Sequence, residues 1–185
     1  KGLDILLTKK GVFIFEEPYL GSMYDKTSYD QIYDEHIFMF SVSSVKKIFD
    51  LFNFELVDVM SQSTHGGSMR YVIARKGQYK IKNVVKQKIL EEKKKNIDTK
   101  KGCYKFKKKC ELSKKNLNKK INSILKKGKN IAGYAATSKS TTILNYCGVD
   151  FKKIDFICDT TQDKIGKFTP GTHIPIKDME YYKKN

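Results

Sequence analysis

Several familiar signatures are missing from this 185-residue chain, and each absence narrows what it can be. No apolar run approaches the roughly 20 residues a membrane helix requires, so no membrane partner is expected. No charged-then-apolar leader opens the chain, and a cytoplasmic location is expected. It starts at Lys1 rather than Met, and Lys183-Lys184-Asn185 closes no recognisable helix, so it reads as a fragment. The cysteines Cys103, Cys110, Cys147 and Cys158 form no C-x-x-C pair, which argues against any metal site within this chain. They read instead as reduced thiols packed as small apolar groups, Cys103 and Cys110 on one helix face. Neither the P-loop spacing nor a full G-x-G-x-x-G occurs.

What is present is a foldable composition, 39% hydrophobic and 12% aromatic. The length suits one ordinary domain or parts of two. The net charge of +17 is local rather than global. Residues 76–130 hold 21 Lys against 4 acidic residues, and the remainder balances 16 against 16. Arginine is absent after Arg75 and aromatics are sparse in the basic stretch. Specific nucleic-acid recognition draws on bidentate Arg contacts and stacking rings, so solvated helix faces are the better reading and no nucleic-acid partner is expected.

Along the chain, Gly11 to Phe15 reads as a buried strand closed by Pro18, with loop from there to Tyr29. Val45, Ile48, Phe49 and Phe52 recur at helical spacing behind capping serines. Phe54 to Met60 and Ser68 to Arg75 read as strands joined through the His65-Gly66-Gly67 turn. This looks like the end of a doubly wound sheet with an antiparallel final hairpin. Residues 80–127 read as a Lys-rich helix pair whose stripe is Cys103, Phe106, Cys110, Leu117, Ile121, Ile124 and Leu125. A second α/β unit follows: strand 130–136, a helix from Ile143 to Cys147 stopped by Gly148, and strand 151–158. A right-handed β-α-β crossover in a parallel sheet is expected.

Three segments could carry chemistry. Tyr29-Asp30-Gln31-Ile32-Tyr33-Asp34-Glu35-His36 gathers phenols and titratable groups in a loop after a strand. A neutral His36 can take a proton at physiological pH, though it also suits a plain helix entry. Gly133 to Ser140 offers small residues, hydroxyls and Lys139 at a strand-to-helix turn, fit for a phosphate or for an ordinary tight turn. Lys167 to Pro175 places Thr169, Thr172 and His173 around a Pro-Gly turn, as a ligand face or as a structured loop.

The runs Phe15-Glu16-Glu17-Pro18-Tyr19-Leu20, Ser28 to His36 and Thr64-His65-Gly66-Gly67-Ser68-Met69-Arg70 together resemble the S-adenosylmethionine-dependent sugar C-methyltransferase family. So do Ile131-Ala132-Gly133-Tyr134, Ala136 to Thr141, Asp159-Thr160-Thr161 and Gly166 to Gly171, in family order. The resemblance implies three modules: a zinc-binding domain, a class I methyltransferase domain and a Rossmann-like nucleotide-binding domain. This chain would hold residues 1–79 as the end of the second, 80–128 as a helical linker and 129–185 as a truncated third. Zinc would belong to the full-length protein alone, the residues that bind S-adenosylmethionine would lie mostly outside this chain, and the chain by itself would be inactive. The implied substrate is a nucleotide-linked keto-deoxysugar, methylated on a ring carbon beside the ketone. His36 would be the base, with Tyr33 and Glu35 positioning the sugar or stabilising the oxyanion. Tyr29, Tyr134, Thr137, Ser138, Lys139, Thr169 and His173 would bind the substrate. Ala135 departs from the family's glycine, which would weaken a tight phosphate turn. The competing readings are a non-catalytic sugar-nucleotide-binding fragment, a basic nucleic-acid-binding protein, and a nicotinamide-dependent epimerase or dehydratase on similar substrates.

Overall fold

The computed structural model describes residues 2–184. It is mixed α/β with two three-stranded sheets. Two compact units are present, one of residues up to 28 with 38–107, the other of 29–37 with 108 onward. The sequence reading grouped 29–37 with the first strands and set the helices apart as a linker.

In the first unit, α1 (Gly2–Leu6), β1 (Val12–Pro18), α2 (Leu20–Lys26), α3 (Val42–Asp50), β2 (Phe54–Gln62), β3 (Ser68–Arg75) and α4 (Asn83–Lys95) follow one another. Helix α5 (Lys100–Leu125) begins here and runs into the second unit. The last strand lies in the middle, in the order β1-β3-β2, antiparallel to both neighbours. The expected terminal hairpin is therefore present. Segment 20–26 is helical where loop was expected. Its Met23 and Tyr24 are buried, and burial of one face overrides a weak local signal. The core gathers Leu56, Val59, Met69, Tyr71 and Ile73 of the sheet with Val42, Val45 and Val85 of the helices.

The expected stripe of α3 is only half used. Val45 is buried, while Ile48 and Phe52 stay exposed. Ile48 and Phe49 border an open apolar groove of roughly 440 Å³ with Phe13, Phe15, Phe38 and Phe40.

Ser41 caps α3 by accepting from the Ser44 amide at 3.0 Å, and Ser44 Oγ accepts from the Ser41 amide at 2.9 Å. That reciprocal box leaves the next two amides over. Glu92, buried on α4, takes both, accepting from Val42 N at 2.6 Å and Ser43 N at 2.9 Å. It also accepts from the Tyr19 hydroxyl at 2.9 Å and the Ser43 hydroxyl at 2.5 Å. A carboxylate out of water persists only when so fully bonded. Burial first, then the Glu92 charge, pushes the Tyr19 phenol up, so it remains a donor.

The second unit contains the rest of α5, then β4 (Ala132–Tyr134), α6 (Ser138–Cys147), β5 (Phe156–Cys158), β6 (Ile176–Lys177) and α7 (Met179–Lys184). Strands β4, β5 and β6 are parallel in that order, so a β-α-β unit in a parallel sheet is there, as expected, with one further strand. Helix α6 starts at Ser138, five residues earlier than expected, because Thr137 and Ser140 form a reciprocal capping box. Gly148 ends it in the left-handed region, φ 65°. On α5, Cys110 and Ile121 are buried as expected, but Cys103 is exposed rather than on their face. All four cysteines are free thiols.

Segment 29–37 joins this unit through packing. Tyr29 is buried, and its hydroxyl lies 3.3 Å from Ser113 Oγ and 3.5 Å from Cys147 Sγ. Its ring tilts against Tyr146, with centroids 5.1 Å apart. Burial pushes its phenol up to about 12.

Candidate functional site

A cavity of roughly 700 Å³ opens in the second unit. Small-molecule sites usually span about 300–1,000 Å³. Three stretches wall it, with Ile176 beside them: Ile32, Tyr33 and Asp34; the start of α6 with Ala136, Thr137, Ser138, Thr141, Thr142 and Asn145; and Lys164, Lys167, Phe168, Thr169 and Pro170. Each stretch is locally determined. The first is pinned by the turn at Tyr29–Gln31, and the Thr142 hydroxyl donates to Ile32 O at 3.4 Å. The second follows a short strand. Gly133 passes so close to β5 that a Cβ there would lie 2.8 Å from Ile157 Cγ1. Ala135 then turns the chain with φ 69°, the left-handed region that the sequence flagged as costly for a residue bearing a methyl group.

Asp159, at the end of β5, organises that turn. It is buried, and its Oδ2 accepts from Ala136 N at 2.8 Å while Oδ1 accepts from Thr161 N at 2.8 Å. The Thr161 amide leads in holding its carboxyl down to about 2, with Ala136 and Lys164 adding to it. Lys164 Nζ donates to Ala136 O at 2.9 Å and lies 3.4 Å from Asp159 Oδ2. Residue Ala136 is thus held at both its backbone N–H and its C=O. Thr137 then spends its hydroxyl on Ser140 N. The amides of Ser138 and Lys139, the first two of α6, meet no acceptor among the described residues. Unmet amides at a helix start favour an anion.

Of the residues the sequence nominated, the cavity brings together Tyr33, Thr137, Ser138 and Thr169. The Thr169 hydroxyl is already engaged, 2.7 Å from Thr172 Oγ1 and accepting from Ile174 N at 2.9 Å, so it braces its own loop. His36 and Glu35 stand beside the wall. The His36 ring meets the Tyr33 ring edge-on at 5.0 Å, and His36 N donates to Tyr33 O at 3.0 Å. Desolvation, then the Glu35 carboxylate that its hydroxyl faces, push the Tyr33 phenol up. Tyr33 therefore stays protonated as a donor. Tyr29, Tyr134, Lys139 and His173 are not among the lining residues. Tyr29 is committed to packing, Tyr134 is 71% exposed, and His173 is exposed on a left-handed turn of φ 53°.

Sequence reasoning passed over Asn145 and Lys164, and gave no role to Asp34 and Lys167 within the segments it singled out; all four line the cavity. Lys164, one lysine among so many, carries no signal of its own beyond its spacing behind the strand-ending Asp159-Thr160-Thr161.

Among the described residues no cluster of His, Cys, Asp or Glu could hold a metal ion. No described helix is long and apolar enough to cross a membrane.

Residues 63–185 match the sequence model of the C-methyltransferase C-terminal domain. The chain belongs to the C-methyltransferase family. It is also similar to the C-methyltransferase NovU of Streptomyces niveus, 31% identical over 180 residues. That alignment covers 97% of this chain and 43% of NovU, so the chain spans less than half the length of this relative. In family terms, the cavity and all three of its walls lie within the second unit, and the α6 and 164–170 walls fall inside the matched C-terminal domain.

Proposed function

We propose that this chain is part of an S-adenosylmethionine-dependent methyltransferase that methylates a ring carbon next to a keto group of a nucleotide-linked deoxysugar. The observation that carries the reading is one cavity joining Tyr33 of the Tyr33–His36 loop to an anion-favouring helix start and two lysines. In this reading the first sheet, with its last strand antiparallel in the middle, is the end of a class I methyltransferase sheet. The second, parallel sheet is the Rossmann-like nucleotide-binding domain.

A C–H beside a ketone is acidic because the carbanion spreads onto oxygen. His36 accepts that proton on its imidazole, and the electron pair moves to the carbonyl oxygen as an enolate. Tyr33, kept protonated, turns its single hydroxyl proton from the Glu35 carboxylate to the developing oxyanion. The second unit grips the phosphates far from the reacting carbon, and such remote binding energy orients the ring. S-Adenosylmethionine supplies the electrophilic methyl group when bound. The family's glycine-rich cofactor loop is not among these residues, so the residues that hold the donor would lie mostly outside this chain. The share of NovU left uncovered leaves room for that module elsewhere in the protein.

The test is exchange and turnover together. In heavy water, without methyl donor, the protein should exchange the substrate's hydrogen beside the ketone. A His36→Ala variant should lose about 100- to 10,000-fold in both exchange and methyl transfer, with nucleotide affinity intact. Equal exchange in both proteins removes His36 from the role. Nucleotide binding without exchange in either supports a purely binding protein instead.

A further inference from the structure

We propose that Lys164 and Lys167 are the diphosphate-binding cations of this cavity, and that they fix which way round a sugar nucleotide lies in it; the proposal rests on reading the cavity as the sugar-nucleotide site. The walls differ in charge. Residues 32–34 contribute the Asp34 carboxylate, whereas residues 164–170 contribute two ammonium groups. The α6 wall contributes the uncharged residues Thr137, Ser138, Thr141 and Thr142.

Lys164 is set in place before any ligand arrives. The Ala136 carbonyl takes one of its protons and Asp159 lies near a second, leaving donor capacity toward the cavity. Asp159 is fixed in turn by two amides, so little side-chain freedom remains for binding to remove. Lys167 has no ion-pair partner among the described residues, so its charge is uncompensated. A diphosphate is drawn to that wall and pushed from Asp34. The uncharged sugar then falls on the side of Tyr33 and Asp34, where a carboxylate accepts from hydroxyls. That orientation brings the sugar to the loop that carries His36. A nucleoside without phosphates lacks the anchor.

Calorimetric titration with uridine diphosphate, thymidine diphosphate and the two free nucleosides tests this. Lys167→Met should weaken diphosphate binding about 10- to 100-fold. It should also flatten the dependence on ionic strength and leave the weak nucleoside affinity within about 3-fold. Lys164→Met should do the same, and Lys164→Arg should restore most of the loss, which separates charge from a merely disturbed Ala136 turn. Asp34→Asn should weaken a diphosphate sugar relative to the free diphosphate. Diphosphate binding that is unchanged in both Met variants, in affinity and in salt dependence, overturns the proposal while the cavity remains the nucleotide site. Equal weakening of sugar conjugate and free diphosphate by Asp34→Asn overturns the orientation. Failure of both diphosphates to bind the unaltered protein removes the proposal and the reading of the cavity together.

Discussion

Helices α3 and α6 begin alike and end up serving different purposes. Each opens on a hydroxyl residue locked in a reciprocal capping box, Ser41 with Ser44 and Thr137 with Ser140. At α3 the two amides that the box leaves over are consumed by the buried Glu92. At α6 the nearest buried carboxylate, Asp159, reaches one residue short of the cap and takes Ala136 N instead. The helix start beyond it lines a cavity together with Lys164 and Lys167. The same sequence device is therefore closed by a carboxylate at one helix and leaves the first amides of the other without an acceptor among the described residues. What decides between them is the carboxylate supplied by another part of the chain, not the cap itself.

The closed start should be the more fragile when altered. Glu92→Ala strands Val42 N, Ser43 N and two hydroxyls without their acceptor in a buried place. Each unmet group costs about 1–3 kcal/mol before relaxation and water entry. A loss of at least about 3 kcal/mol in urea unfolding is expected, with Glu92→Gln nearly as harmful because its amide brings donors toward donors. A loss below about 1 kcal/mol for Glu92→Ala would mean that water already satisfies these groups.

The open start should respond to acid. The folded-state carboxyl of Asp159 lies at about 2, below its ordinary 3.8, so its contribution to stability is complete above about pH 4. It is lost as pH falls through the interval down to about 2. Asp159→Asn should remove this part of the acid dependence and lower stability by about 1–2 kcal/mol at neutral pH. Unfolding curves for both proteins across that interval check the sign. Parallel pH profiles would show that Asp159 is not the titrating group.

Much of the frame was legible. Apolar runs and glycine turns placed β2 and β3, and located β4 and β5 inside the longer strands expected at 130–136 and 151–158; the antiparallel hairpin and the parallel crossover both followed from them. What escaped notice was what distance along the chain conceals. Helix α2 forms because Met23 and Tyr24 find a core, and its Gly and Ser give no local sign of it. Thr169 looked available for a ligand, but its hydroxyl serves Ile174 and Thr172 close by. Lys164 looked like any other lysine until Asp159 and the Ala136 carbonyl gave it a fixed place. Tyr33 and His36 were flagged as residues, yet only packing of 29–37 on α6 puts Tyr33 on a cavity wall with the lysines.

The finest contrast between the two helix starts is the residue that leads into the open one. Ala135 sits at φ 69°, where a methyl group costs about 1–2 kcal/mol relative to glycine. Its amide is well bonded, donating to Cys158 O at 2.7 Å, so the conformation is imposed by the sheet rather than chosen by the residue. Ala135→Gly relieves that strain but frees the unfolded chain, which offsets about 0.4–1 kcal/mol. A net gain of about 0.5 kcal/mol in urea unfolding is expected. Nucleotide affinity should move less than about 3-fold, because Ala136 and not Ala135 lines the cavity. A tenfold gain in affinity would show instead that the methyl group crowds the phosphates, and the departure from the family's glycine would then be a brake on binding rather than a local strain.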